Sequence, residues 1–167
     1  IFKKLGLKPH RLEPKEGLAL INGTAVMTGI AGVTIKYAER ALMLAVCLSA
    51  YALELVRGFT DAFSKELQET RPHPGQIMVA GLLRKIFQDS KLPTDRQSLQ
   101  ANNHTHHEVV KEISNRVQDV YSFRCVPQII GPIIETFLHT KKSIEIELNS
   151  VTDNPIIDSL GKKIYHG

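Results

Sequence analysis

The chain has 167 residues, 43% hydrophobic and 23% charged, a balance that gives a folded domain with a real core and excludes a disordered or fibrous polypeptide. Its 21 basic and 17 acidic residues leave a formal charge of +4. The basic residues are scattered, with no run that could follow a phosphate backbone and no interleaved aromatic platforms, so nucleic acid is not an expected partner.

Residues 1–16 read as a basic connector with Pro9 and Pro14, succeeded by the apolar entry Gly17 to Ile21. Asn22-Gly23-Thr24 then reads as a turn whose hydroxyl can cap the next helix. That helix is predicted to be long, from Ala25 to about Val56, with Gly29 and Gly32 as soft points that permit close backbone approach. Its longest nearly apolar run, Ala41 to Leu53, is shorter than a bilayer span and flanked by Glu39, Arg40, Glu54 and Arg57. It therefore reads as a buried helix, and no membrane association is expected.

Gly58 can end that helix, and Asp61 to Glu69 reads as a short amphipathic one stopped by Arg71-Pro72-His73-Pro74-Gly75. The next helix is predicted to begin near Gln76, carrying Val79, Ala80, Leu83, Ile86 and Phe87 on one face and dying at Lys91-Leu92-Pro93. A polar loop is expected over 91–115. Beyond it, Ile130, Phe137, Ile144 and Val151 recur at heptad spacing with Ile133, Ile134 and Leu148 between them, the stripe of a long helix interrupted by Lys141. That helix is predicted to end near Asp153-Asn154-Pro155. No strand alternation persists, so the fold class is all-α.

Two cysteines form no disulfide framework; Cys47, inside the apolar helix, reads as a small buried hydrophobe, and a reducing, cytoplasmic compartment fits. The chain opens Ile1-Phe2-Lys3-Lys4 without a charged-then-apolar leader, so no signal peptide is expected and the segment reads as part of something longer. The glycosylation-like triplets at Asn22 and Asn103 are taken as inert.

The densest chemistry lies in Gln118-Asp119-Val120-Tyr121-Ser122-Phe123-Arg124, which sets an amide, a carboxylate, a phenol and a guanidinium beside an apolar helix. Arg124 can hold a carboxylate in two parallel hydrogen bonds, and the Tyr121 phenol can give or take a proton. Such residues also serve as helix caps, with Pro127 placed to open the helix after them, and chemistry alone leaves both readings open. Asn22, at the entry to a helix, could hold a carbonyl or carboxylate or simply form an Asn-Gly turn; Asn154 could bind a carboxylate or lock its own turn.

His104, His106 and His107 lack paired cysteines or helical spacing, so no metal is expected there. His73 and His166 have no orienting acid, and no phosphate loop is present, so no nucleotide is expected either.

Four motifs in order, Glu13 to Thr24, Arg71 to Gln76, Gln118 to Arg124 with Pro127-Gln128, and Asn149 to Pro155, resemble the aromatic amino-acid ammonia-lyases over nearly the whole chain. The resemblance implies the central segment of a fumarase/aspartase-like long-helix bundle. It also implies elimination of ammonia from histidine, phenylalanine or tyrosine by a methylidene-imidazolone (MIO) formed from Ala-Ser-Gly. This chain contains no such triplet, and the family places that triplet and a base tyrosine upstream, so the isolated chain is expected to be inactive.

By the same resemblance Asn22 is the amide beside the electrophile, Tyr121 assists amine addition and proton traffic, and Arg124 clamps the carboxylate. Asn154 reaches the same carboxylate, and Gln118 borders the substrate. Homotetramers with shared active sites are implied. Gly131-Pro132 and Asn154 to Asp158 look more like the phenylalanine and tyrosine members. Aminomutases share these motifs, and a non-catalytic helical assembly module is the competing reading.

Overall fold

The computed structural model describes residues 1–96, 117–158 and 160–166. The loop expected over 91–115 lies outside the described residues from 97 onward, as do His104, His106, His107 and Asn103. The described chain is mostly helical. In order it forms α1 (Glu16–Asn22), α2 (Ala25–Leu55), α3 (Lys65–Glu69), α4 (Pro74–Phe87), α5 (Tyr121–Arg124), α6 (Val126–Leu148) and the strands β1 (Ile156–Asp158) and β2 (Lys163–Tyr165). Short 3-10 turns occupy Phe2–Lys4 and Asp61–Phe63. Two compact units result, one of Ile1–Thr34 with Lys142–Gly167, the other of Ile35–Lys141.

The second unit holds the buried apolar core, in which Val79, Ala80 and Leu83 of α4 are fully buried against Val46 and Leu53 of α2 and Ile130 of α6. Val79, Ala80, Leu83 and Phe87 of the predicted face enter this core, whereas Ile86 is exposed. Phe63 and Phe87 close one side, with ring centroids 6.0 Å apart. Two glycines set the approach of α4 to α6. A Cβ on Gly75 would overlap the Gly131 carbonyl oxygen, and one on Gly131 would lie 2.5 Å from the Gln76 nitrogen. No larger residue fits at either place.

That close crossing also caps α4. His73 precedes the helix without a side-chain cap, and the Gly75 N–H instead donates to Glu135 Oε1 of α6 at 2.7 Å, so a carboxylate meets the positive end of the helix. Beneath it, the buried Gln76 amide donates to Gln68 Oε1 at 2.9 Å, and Gln68 Nε2 donates to the Ala62 carbonyl at 2.7 Å. The turn after α2 is closed by Thr94, whose N–H donates to the Gly58 carbonyl and whose carbonyl accepts from the Thr60 N–H.

Lys141, which interrupts the apolar stripe of α6, is answered by α2. Its Nζ donates to Glu39 Oε1 at 3.0 Å, while Lys36 Nζ donates to Glu39 Oε2 at 2.7 Å. These bonds, Lys36 first and Lys141 second, lower the Glu39 carboxyl to about 2 from 4.5.

In the first unit, Leu148 Cδ1 lies 3.2 Å from where a Gly32 Cβ would stand, so that glycine does permit close approach. α6 stops at Leu148, short of the expected Asp153, because Asn149 Nδ2 and Ser150 Oγ donate back to the Glu145 and Ile146 carbonyls. The β1–β2 hairpin is unexpected from the sequence. It pairs Ile156 with Tyr165 and Asp158 with Lys163, and Asp158 Oδ1 accepts the Leu160 and Gly161 N–H groups across the turn.

Three further expectations are corrected. The run Ala41 to Leu53 is buried on one face only: Val46, Ala50 and Leu53 are covered while Met43, Leu44, Leu48 and Tyr51 are exposed. Cys47 is exposed rather than buried because it stands on that uncovered side. The helix expected from Asp61 to Glu69 is divided at Ser64, whose extended backbone and Oγ open α3. Glu16–Leu55 has the length and hydropathy of a membrane span, a property shared by helices covered with protein, and the extended backbone of Gly23 breaks it into α1 and α2.

Gly131→Ala should destabilise the fold by about 1–3 kcal/mol or prevent folding, because the added methyl meets backbone rather than a yielding side chain, as read from denaturant midpoints. A depressed carboxyl stabilises the fold above its unfolded pKa and loses that contribution as pH falls through the folded value. The stability gap between wild type and Glu39→Gln should therefore be complete above pH 4.5 and close as pH falls toward 2, measured by thermal melts across that range.

Candidate active site

Each of the two units carries part of the predicted site. In the first, Asn22 is the last residue of α1 and Asn154 lies beyond the end of α6, and both line one cleft of about 430 Å³ together with Lys15, Glu16, Thr152 and Asp153. Gly23 makes the exit from α1 possible, since a Cβ there would overlap the Ala19 carbonyl oxygen. The Thr24 hydroxyl, expected to cap α2, instead reaches Thr152 Oγ1 at 3.4 Å and so joins the two segments that bring Asn22 and Asn154 to the cleft.

Lys15 makes a second tie that the sequence did not reveal. Its backbone sits at φ 80, and its Nζ donates to the Asn154 carbonyl at 2.9 Å. Glu16 accepts the Glu13 N–H at 2.7 Å and lies 3.0 Å from His10 Nε2, and these contacts, the Glu13 bond foremost, hold its carboxyl below the usual range. The carboxamides of Asn22 and Asn154 are exposed and have no hydrogen-bond partner among the described residues. Asn154 thus does not lock its own turn through its side chain.

In the second unit, Gln118 is exposed, Asp119 is buried at 6%, and Tyr121 to Arg124 form the single turn α5. The Arg124 guanidinium lies over the Tyr121 ring at 4.2 Å, a contact that fixes the fork of one side chain against the face of the other. Arg124 Nε is buried without a hydrogen-bond partner among the described residues, and so is Gln128 Oε1 at the start of α6. Val120 precedes α5 without a side-chain cap.

The structure therefore brings Asn22 to Asn154 within one unit and Tyr121 to Arg124 within the other. Gln118 stands just ahead of the second group. Among the described residues no cluster of His, Cys, Asp and Glu could hold a metal ion. His73 precedes α4 and His166 is exposed.

A family model described as aromatic amino acid lyase matches residues 1–167. A phenylalanine ammonia-lyase of Nostoc punctiforme is 40% identical over 166 residues, which cover 99% of this chain and 28% of that protein. A histidine ammonia-lyase of Bacillus cytotoxicus is 40% identical over 162 residues, 97% of this chain and 29% of that protein. The solved phenylalanine aminomutase of Pantoea agglomerans superposes with a TM-score of 0.79 at 32% identity, covering 99% of this chain and 33% of that one. The chain thus spans less than a third of the length of these curated relatives.

The stack can be tested without any ligand. Tyr121→Leu removes a ring face worth about 0.5–1 kcal/mol at an exposed site, and the Arg124 Nε proton should then exchange with water about two- to fivefold faster by nuclear magnetic resonance.

Proposed function

The chain belongs to the aromatic amino acid lyase family, and on that premise we propose that the enzyme it forms part of eliminates ammonia from phenylalanine, tyrosine or histidine to give an α,β-unsaturated acid. The observation that carries this reading is the Tyr121–Arg124 stack, in which a phenol and a guanidinium share one turn with their groups 4.2 Å apart. Arg124 grips the substrate carboxylate in two parallel bonds, with Asn154 reaching the same group. Tyr121 exchanges a proton at the amine nitrogen, and Gln118 borders the bound molecule. A base outside these residues takes the β-proton, the carbon–nitrogen bond breaks, a carbon–carbon double bond forms and ammonia leaves.

The electrophile belongs to polypeptide outside this chain, which has no Ala-Ser-Gly. Asn22 fits a place beside it, since its carboxamide lines the cleft and has no hydrogen-bond partner among the described residues. When present, the MIO group would supply an electron-poor carbon for the amine; this chain adds position, hydrogen bonding and the proton exchanged by Tyr121. By itself the chain is therefore inactive.

Assembly as a homotetramer with shared active sites, in the cytoplasm, completes the proposal. The uncovered apolar side chains of α2, from Val26 to Leu55, call for protein against them, and the free Cys47 and Cys125 suit a reducing setting. The aminomutase likeness favours a second reading, in which ammonia is returned to the neighbouring carbon.

The test is to give the full-length protein each aromatic amino acid in turn, monitoring the conjugated acid by absorbance and the β-amino acid by chromatography. Formation of neither product from any of them would sink the proposal. Arg124→Lys should raise KM about ten- to hundredfold, in line with loss of one charge-assisted hydrogen bond of about 1.5–3 kcal/mol; unchanged steady-state kinetics would remove Arg124 from the role.

A further inference from the structure

The turn that carries Tyr121 and Arg124 has little of its own to hold it. α5 is 4 residues long, has no side-chain cap, and exposes Tyr121 by 69%. Its internal bonds are those of a single turn, from the Phe123 and Arg124 N–H groups to the Val120 carbonyl and from the Cys125 N–H to the Tyr121 carbonyl. A helix that short does not persist unless its ends are fixed from outside. The downstream end is fixed by packing, since Val126 and Pro127 are buried at the start of α6.

The upstream end is fixed by Asp119. Asp119 Oδ2 accepts the Phe59 N–H at 2.6 Å in a buried setting. Phe59 belongs to a stretch already held rigid, because Gly58 and Thr60 on either side of it are both bonded to Thr94. The fit is close on that side too: a Cβ on Gly58 would lie 2.5 Å from Leu53 Cδ2 and 3.4 Å from Asp119 Oδ2. A buried carboxylate is a costly way to pin a loop, and a charge-assisted bond to a backbone N–H is a strong and directional one.

We propose that Asp119 is a positioning residue, whose carboxylate fastens the Gln118–Arg124 segment to the backbone at Phe59 and so sets where the phenol of Tyr121 and the guanidinium of Arg124 stand. Its catalytic consequence rests on the proposed lyase function, whereas its geometric part does not. Asp119 touches no reacting atom; it acts through the two side chains downstream of it. Displacing Arg124 weakens the hold on the carboxylate and raises KM, while displacing Tyr121 lowers kcat.

The test uses the full-length protein with Asp119→Leu, which keeps the bulk and removes the acceptor, and Asp119→Asn, which keeps an oxygen for the Phe59 N–H. Asp119→Leu should lose about tenfold or more in kcat/KM with a raised KM, and Asp119→Asn should fall between it and wild type. In hydrogen exchange, the Phe123, Arg124 and Cys125 amides should open faster in both variants while those of Val79 to Leu83 keep their protection.

Wild-type kinetics with unaltered exchange, or faster exchange spread evenly through the core, would overturn the proposal. Should Asp119→Leu fail to fold, the same two readouts on Asp119→Asn decide. If wild type itself turns over no aromatic amino acid, the lyase function falls, and the exchange pattern alone still judges the anchor.

Discussion

Everything in the larger unit depends on two backbones touching. Gly75 and Gly131 let α4 and α6 approach until a carbonyl on one lies where a side chain on the other would begin. That contact brings Glu135 within reach of the Gly75 N–H, which replaces the cap that His73 does not provide. It also seats Val79, Ala80 and Leu83 in the core beside Ile130. Dense packing leaves no slack here, so the crossing behaves as a fixed point from which the rest of α6 extends.

The same helix begins immediately after the turn that carries two of the candidate site residues. Val126 and Pro127 are buried where α6 starts, and Tyr121 and Arg124 stand just before them. A displacement at the glycine crossing would therefore be felt at the guanidinium through a few residues of rigid backbone. With Asp119 tied to Phe59 on the other side, the stacked pair sits between two anchors. Side chains are placed more sharply by such fixed supports than by a free loop.

Long apolar periodicity makes α2, α4 and α6 legible in the sequence alone, because a helix that buries one face must repeat its apolar residues at that pitch. What periodicity cannot say is which faces remain uncovered, and Met43, Leu44 and Leu48 stand exposed where burial was expected. The end of α6 comes earlier than expected because the proline rule marks where a helix must already have stopped, whereas Asn149 and Ser150 stop it sooner by local bonds. The hairpin of β1 and β2 has three residues a side, too few for alternation to register. Motif and residue type single out Arg124, Asp119, Asn22 and Asn154 as candidates. The partners that hold them are not marked that way: Phe59 is 60 positions from Asp119, and Asn154 is 139 from Lys15.

Lys141 places a cation in a stripe that otherwise faces apolar neighbours, and Glu39 receives it while already holding Lys36. Apolar surfaces alone tolerate sliding, since leucine-like residues one turn apart are nearly interchangeable. A slip of one helical turn, about 5.4 Å, would carry the ammonium past Glu39 and leave this half-exposed pair unmade. The charge triplet thus works as a notch, selecting one alignment of two greasy rods from several that oil would accept equally well.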